Sequence, residues 1–163
     1  MTELIFKSYD PKNLSQMTDI WNEVLLAGDA FPGEELYYEI DFHEFLLEQT
    51  ATTCLFIDDK LAGYYILHPN NIGRCSHIAN ASYCIVPEFR GQKLADPLVK
   101  YSLKEARELG FAGIQFNAVV VSNQAALKTY TKNDFKLIGT IPAGFLLKDG
   151  TYSDIQILYH QFK

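Results

Sequence analysis

The chain has 163 residues, enough for one domain whose folding removes roughly 70% of the unfolded surface from water. Hydrophobic residues make up 48% and aromatics 13%, yet no run approaches the ~20 apolar residues of a membrane helix, which excludes a helical span. A formal net charge of −6 without a basic stripe argues against a nucleic-acid partner. It leaves an anionic ligand open, because local donors and helix ends decide that.

The first residues, Met1-Thr2-Glu3-Leu4, lack the charged-then-apolar pattern of a secretory signal. A cytoplasmic protein is expected. The three cysteines, Cys54, Cys75 and Cys84, fit reduced thiols better than a disulfide framework. Cys75 lies near His68 and His77, but no metal-ligand spacing appears and no metal site is expected.

In chain order, 4–9 reads as a strand ended by Asp10-Pro11. Residues 14–26 read as a helix, with Ile20, Trp21, Val24 and Leu25 at three- and four-residue spacing. Phe31-Pro32-Gly33 breaks the chain, and 34–48 reads as a second helix carrying Tyr37, Tyr38, Phe42 and Phe45. That stripe fits core packing or the wall of a substrate mouth. Its acidic neighbours, Asp29, Glu34, Glu35, Glu39 and Asp41, are a solvated face or an attraction for an amine.

Residues 52–57 and 61–67 read as strands joined by Asp58-Asp59-Lys60, a hairpin signal. A loop over 68–74 leads to a strand over 77–86. That strand stops at Pro87, and after Arg90-Gly91-Gln92-Lys93-Leu94-Ala95 an amphipathic helix runs to about Leu109. A strand feeding a glycine turn into a helix presents unpaired N–H groups and partial positive charge, a place for a phosphate. A strand over 113–121, a helix over 122–132 with Ser122 or Asn123 as cap, and strands over 135–141 and 152–159 complete the chain. The order is β-α-α-β-β-β-α-β-α-β-β, a mixed α/β sheet with helices on its faces, in a single domain over 1–163.

Two motifs give this frame a family. Arg90-Gly91-Gln92-Lys93-Leu94-Ala95 follows Pro87-Glu88-Phe89, and downstream stand Asn123, Ala126, Tyr130 and Asp134-Phe135. Together they resemble the acyl-CoA signatures of the GNAT superfamily, the GCN5-related N-acetyltransferases. The resemblance implies a mostly antiparallel sheet flanked by helices, acetyl-CoA as co-substrate, and transfer of its acetyl group to an amine. It implies that main-chain groups from Arg90 through Gly91, Gln92, Lys93 and Leu94 to Ala95 hold the CoA pyrophosphate. It further implies that Ile85 and Val86 meet the pantetheine and the thioester as an added strand would, that Asn123 bonds the pantetheine arm, and that Tyr130 gives a proton to the leaving thiolate. Asn123 also reads as only a helix cap, and Tyr130 as only a core aromatic. Lys93 and Asp134 stand where glycine is usual. A lysine is not expected to take the φ that glycine allows, so the loop should differ slightly from the family form.

His68-Pro69-Asn70, His77-Ile78-Ala79-Asn80-Ala81-Ser82-Tyr83 and Gln115-Phe116-Asn117-Ala118-Val119-Val120 narrow the resemblance to relatives of the fungal proline-analogue (azetidine-2-carboxylate) N-acetyltransferases. In that group, asparagines on the two strands flanking the cleft are implicated in substrate binding and catalysis; here they are Asn80 and Asn117. Asparagine is depleted in strands, and a buried amide needs partners. Each is therefore a satisfied amide at a bulge or a site residue, and their place on adjacent strands favours the site. An asparagine has no useful pKa and serves to orient an amine or bond a carbonyl. His77 and Glu88 read as solvated polar residues rather than as a base. The expected acceptor is a small-molecule amine, an amino acid or analogue. A protein or peptide acceptor and a non-catalytic acyl-CoA-binding module are the alternatives. Superfamily members are often dimers, which leaves a homodimer open.

Overall fold

The computed structural model describes residues 2–163. In chain order its elements are β1 (Ile5–Ser8), α1 (Leu14–Ala27), α2 (Glu39–Glu48), β2 (Ala51–Ile57), β3 (Lys60–Pro69), β4 (Ile78–Ile85), α3 (Ala95–Glu108), β5 (Gly113–Val120), α4 (Gln124–Lys132), β6 (Lys136–Leu146) and β7 (Tyr152–Gln161). The expected order is present. The strands form one seven-stranded sheet in the order β1-β2-β3-β4-β5-β7-β6. Only β4 and β5 run parallel; every other pairing is antiparallel.

Alternation along the central strands explains the layers. Leu55, Ile57, Tyr65 and Leu67 face a cluster with Leu98, Val99 and Ala106 of α3. Cys54, Tyr64 and Ile66, one residue out of step, face a cluster with Met17, Trp21 and Leu25 of α1 and Phe42 and Leu46 of α2. Successive side chains of a strand point to opposite faces, so α1 and α2 cover one face and α3 the other. A sheet covered on both sides reads as nearly continuous apolar strands, as β2 and β3 do. Gly63 of β3 allows the close fit: a Cβ there would stand 2.7 Å from the Cys84 carbonyl and 3.1 Å from Leu98.

Three expectations need correction. The second helix starts at Glu39, not at 34. Asn22 of α1 takes the Tyr37 N–H on its Oδ1 and donates its Nδ2 to the Tyr37 carbonyl, both at 2.9 Å, and so holds this stretch as a loop. Strand β6 continues to Leu146 rather than stopping near 141. It passes an irregularity between Ile141 and Phe145, where Ala143 has φ +51° and its N–H is taken by Asp154 Oδ1 at 2.8 Å. The third concerns Lys93, which holds φ +60° after Gly91 at +80°. The loop thus bends as a loop with two glycines would, at a cost of about 1 kcal/mol for the lysine. Asp134, the other residue standing where glycine is usual, likewise holds φ +63°. The Asp58–Asp59 turn has φ +48° and +64°, the pairing of a type I′ hairpin.

Candidate active site

β4 and β5 pair only at Ile78 with Gly113 and Ala79 with Ile114, and then diverge. The register of β5 against β7 shifts between Phe116 and Val119, a bulge that carries Asn117 and Ala118 and bends β5 away from β4. The Val86 N–H donates to the Ala62 carbonyl at 2.8 Å, and the Asn70 N–H to the Ile78 carbonyl at 2.8 Å. With the β3–β4 register, these bonds turn the main-chain groups of Asn80, Ser82, Cys84 and Val86 toward β3. Those of Ala81, Tyr83 and Ile85 face the opened side. The result is a strand edge inside the sheet with unpaired donors and acceptors.

A cleft of about 1160 Å³ occupies this opening. It exceeds the ~300–1,000 Å³ of most small-molecule sites, which leaves room for two ligands. Of the expected site residues, Asn80, Ile85, Arg90, Ala95, Asn117, Asn123 and Tyr130 line it. Gly91, Gln92 and Lys93 are exposed beside the start of α3. Two expected residues turn away. Val86 is 2% exposed, its N–H is spent on Ala62 and its carbonyl already takes the Phe89 N–H at 2.9 Å, so its main-chain groups point to β3 and the following turn rather than to the opened side. Leu94 turns its side chain into the core, while the expectation placed on it concerns its main-chain N–H.

Each remaining residue has a bond account. Arg90 pairs with Glu23 of α1 at 3.0 Å, with both side chains about half exposed. Such a pair is worth at most ~1 kcal/mol, and the guanidinium can trade it for a phosphate. Asn123 caps α4, its Oδ1 accepting the Ala126 N–H at 3.2 Å; among the described residues its Nδ2 makes no bond. Tyr130 packs with its ring tilted against Phe116 at 4.4 Å and lies 5.6 Å from Phe135 and 6.3 Å from Tyr83. Burial holds its pKa well above the usual tyrosine value, so it is protonated at neutral pH. Burial likewise pushes the thiol of cleft-lining Cys84 up to about 12, which leaves it a poor nucleophile. Among the described residues no cluster of metal ligands occurs.

Asn80 and Asn117 are brought together by Asn70, which lies just beyond β3. Asn80 Nδ2 donates to the Gln115 carbonyl at 3.0 Å and to Asn70 Oδ1 at 3.1 Å. Asn117 Nδ2 donates to the same Asn70 Oδ1 at 2.7 Å, and Gln115 Nε2 donates to Asn117 Oδ1 at 2.9 Å. The four residues close a ring at the base of the opening. Asn70 was not expected as a site residue, since asparagine in a loop ordinarily marks a turn. The repeated asparagines of the three stretches that narrowed the family were the available signal. His68, also at the cleft, donates its Nδ1–H to the Pro69 carbonyl at 2.9 Å, which leaves Nε2 as an acceptor when the ring is neutral. The opposite wall carries Trp21, Phe31, Tyr37 and Phe45, with Glu34, Glu35 and Asp41 beside them. The expected aromatic stripe thus divides: Phe42 is core, Tyr37 and Phe45 reach the cleft, and Tyr38 is exposed.

Comparison with known proteins matches this geometry to a family. The profile described as Acetyltransferase (GNAT) family matches residues 14–135. The N-acetyltransferase aca1 of Schizosaccharomyces pombe is 30% identical over 178 aligned residues, covering 96% of this chain and 85% of its own. A GCN5-related N-acetyltransferase from Kribbella flavida superposes with a TM-score of 0.89 at 24% identity, covering 98% of each chain. A phosphinothricin acetyltransferase from Sinorhizobium meliloti, solved in complex with acetyl-CoA, superposes with a TM-score of 0.89 at 17% identity, covering 98% of this chain and 88% of that one. The chain belongs to the GNAT acetyltransferase family: it is an acyltransferase of the N-acetyltransferase kind, with acetyl-CoA as its acetyl source. That membership sets aside the non-catalytic binding module.

Proposed function

From that membership we propose that the acceptor is the amine of a small molecule, an amino acid or a close analogue such as a cyclic imino acid, and that it attacks acetyl-CoA directly. The observation that carries this reading is the asparagine pair, Asn80 and Asn117, facing one cleft beside an unpaired strand edge. The enclosing wall of Trp21, Phe31, Tyr37 and Phe45 favours a compact acceptor over a peptide laid in an open groove. The carboxylates of Glu34, Glu35 and Asp41 favour a cationic one.

Acetyl-CoA supplies a thioester already activated toward amines. Main-chain N–H groups between Gly91 and Ala95, where φ turns positive at Gly91 and Lys93, form the concavity that suits its pyrophosphate, with the start of α3 behind it. Arg90 stands at the rim for the same charge. Ile85 offers main-chain groups to the pantetheine along the open β4 edge, and Asn123 offers its free Nδ2. An N–H on that edge also meets an oxygen that gains negative charge, a contribution of ~3 kcal/mol to the barrier. Tyr130, kept protonated, donates to the departing sulfur and is restored by the proton that the attacking nitrogen loses. The neutral Cys84 thiol is a poor acyl acceptor, which favours direct attack by the amine.

The experiment is CoA release with a panel of small amino acids, cyclic imino acids, polyamines and peptides. Release with at least one small amino or imino acid is expected. Failure of every cyclic imino acid removes the proline-analogue assignment, and release with peptides alone contradicts the small acceptor.

A further inference from the structure

The ring at the base of the cleft has a polarity set by one group. A backbone carbonyl accepts hydrogen bonds and cannot donate them. Asn80 is 3.0 Å from the Gln115 carbonyl, so its Nδ2 must face it. The same Nδ2 reaches Asn70 at 3.1 Å and needs an acceptor there, which turns Asn70 Oδ1 inward. Asn117, 2.7 Å from that oxygen, must then show Nδ2, and its own Oδ1 is left for Gln115 Nε2 at 2.9 Å. Orientation passes from residue to residue and returns to Gln115.

The ring also sets what remains unspent. Asn80 has used both N–H bonds, and its Oδ1 makes no hydrogen bond among the described residues. Asn70 Oδ1 accepts two bonds, the full capacity of an amide oxygen. Asn70, Asn80 and Asn117 line the cleft, whereas Gln115 stands behind them.

We propose that Asn70 is a positioning residue for the acceptor. By taking one N–H from each neighbour it holds Asn80 with its carbonyl oxygen unspent, and that oxygen is the partner for an N–H of the incoming amine. The inference rests on the reading that the acceptor meets Asn80 and Asn117. Without Asn70, Asn80 is tied only to the Gln115 carbonyl and Asn117 only to the Gln115 side chain, and the fixed pair becomes two loosely held amides. Positioning of this kind acts on the acceptor and leaves the acetyl-CoA end of the cleft alone.

Two substitutions separate the roles. Asn70→Ala removes the shared oxygen, while Asn70→Asp keeps an oxygen able to accept from both neighbours. With any acceptor the panel identifies, Asn70→Ala should lower kcat/KM for the acceptor by about tenfold, the effect of one lost hydrogen bond. KM for acetyl-CoA and the melting temperature should stay at the wild-type values, and Asn70→Asp should regain most of the loss. An unchanged kcat/KM for the acceptor in Asn70→Ala, an Asn70→Asp enzyme as poor as Asn70→Ala, or a loss falling equally on acetyl-CoA would overturn the proposal. A second readout needs no turnover. The side-chain amide NMR signals of Asn80 and Asn117 should move in Asn70→Ala and hold in Asn70→Asp; signals unmoved in Asn70→Ala overturn it. If the wild type acetylates no amine, the functional reading fails, and the NMR result still decides the ring.

Discussion

The Tyr130 ring is packed against Phe116 at 4.4 Å and Phe135 at 5.6 Å, but its hydroxyl makes no hydrogen bond among the described residues. A phenol buried this way is protonated at neutral pH, the state a proton donor starts from. Tyr130→Phe preserves the ring packing and removes only the oxygen, so it should fold as the wild type and lower kcat by about 10²-fold, with KM for acetyl-CoA little changed. Steady-state kinetics with each substrate varied checks this, and unchanged turnover would remove the proton-donor role. At this scale the motif residues were legible because spacing places them: Asn123 caps α4, and Tyr130 follows seven positions on, two turns along that helix. Val86 was not, because which strand residues keep free main-chain groups depends on register, and register depends on the partner strand.

The two helices α3 and α4, which both line the cleft, are tied by Asp96. Its carboxylate meets Lys100 of its own helix at 2.5 Å, Asn133 at 2.9 Å and Lys132 of α4 at 3.3 Å. The Lys100 ammonium first, and then Asn133 and Lys132, hold its pKa down to about 2, against an ordinary 3.8. A carboxylate lowered in the folded state contributes stability that is present above the unfolded pKa and is lost as pH falls through the folded one. The contribution is therefore whole at neutral pH and disappears between about pH 4 and pH 2. Asp96→Asn should cost about 1 kcal/mol at pH 7 once solvent screening of this partly exposed group is allowed for. Urea unfolding of both proteins from pH 7 downward should show the gap closing in the acid window, and a constant gap would contradict the tie.

Element order and the hairpin turn were legible because hydrophobic period and turn chemistry are local. The start of α2 was not, since Asn22, fifteen residues before Tyr37, captures that loop. Nor was the length of β6, whose irregular stretch is held by Asp154 from the neighbouring strand.

On the scale of the molecule, a single departure from regular pairing generates the site. Helices on both faces make the sheet rigid, the β5 bulge opens it between β4 and β5, and the opening is closed at its base by the asparagine ring. The two acyl-CoA motifs are contiguous in the chain, which is why the family could be read from them. The ring draws on β4, β5 and the residue that follows β3, and only folding brings Asn70 to Asn117. The central claim is that the acetyl group passes straight from acetyl-CoA to a small amine. Intact-mass measurement of the enzyme with acetyl-CoA, before and after addition of an active acceptor from the panel, tests it most directly. Direct transfer leaves the enzyme unmodified throughout and yields one N-acetylated small molecule for each CoA released. An acetyl adduct on the enzyme that the acceptor then discharges would contradict it.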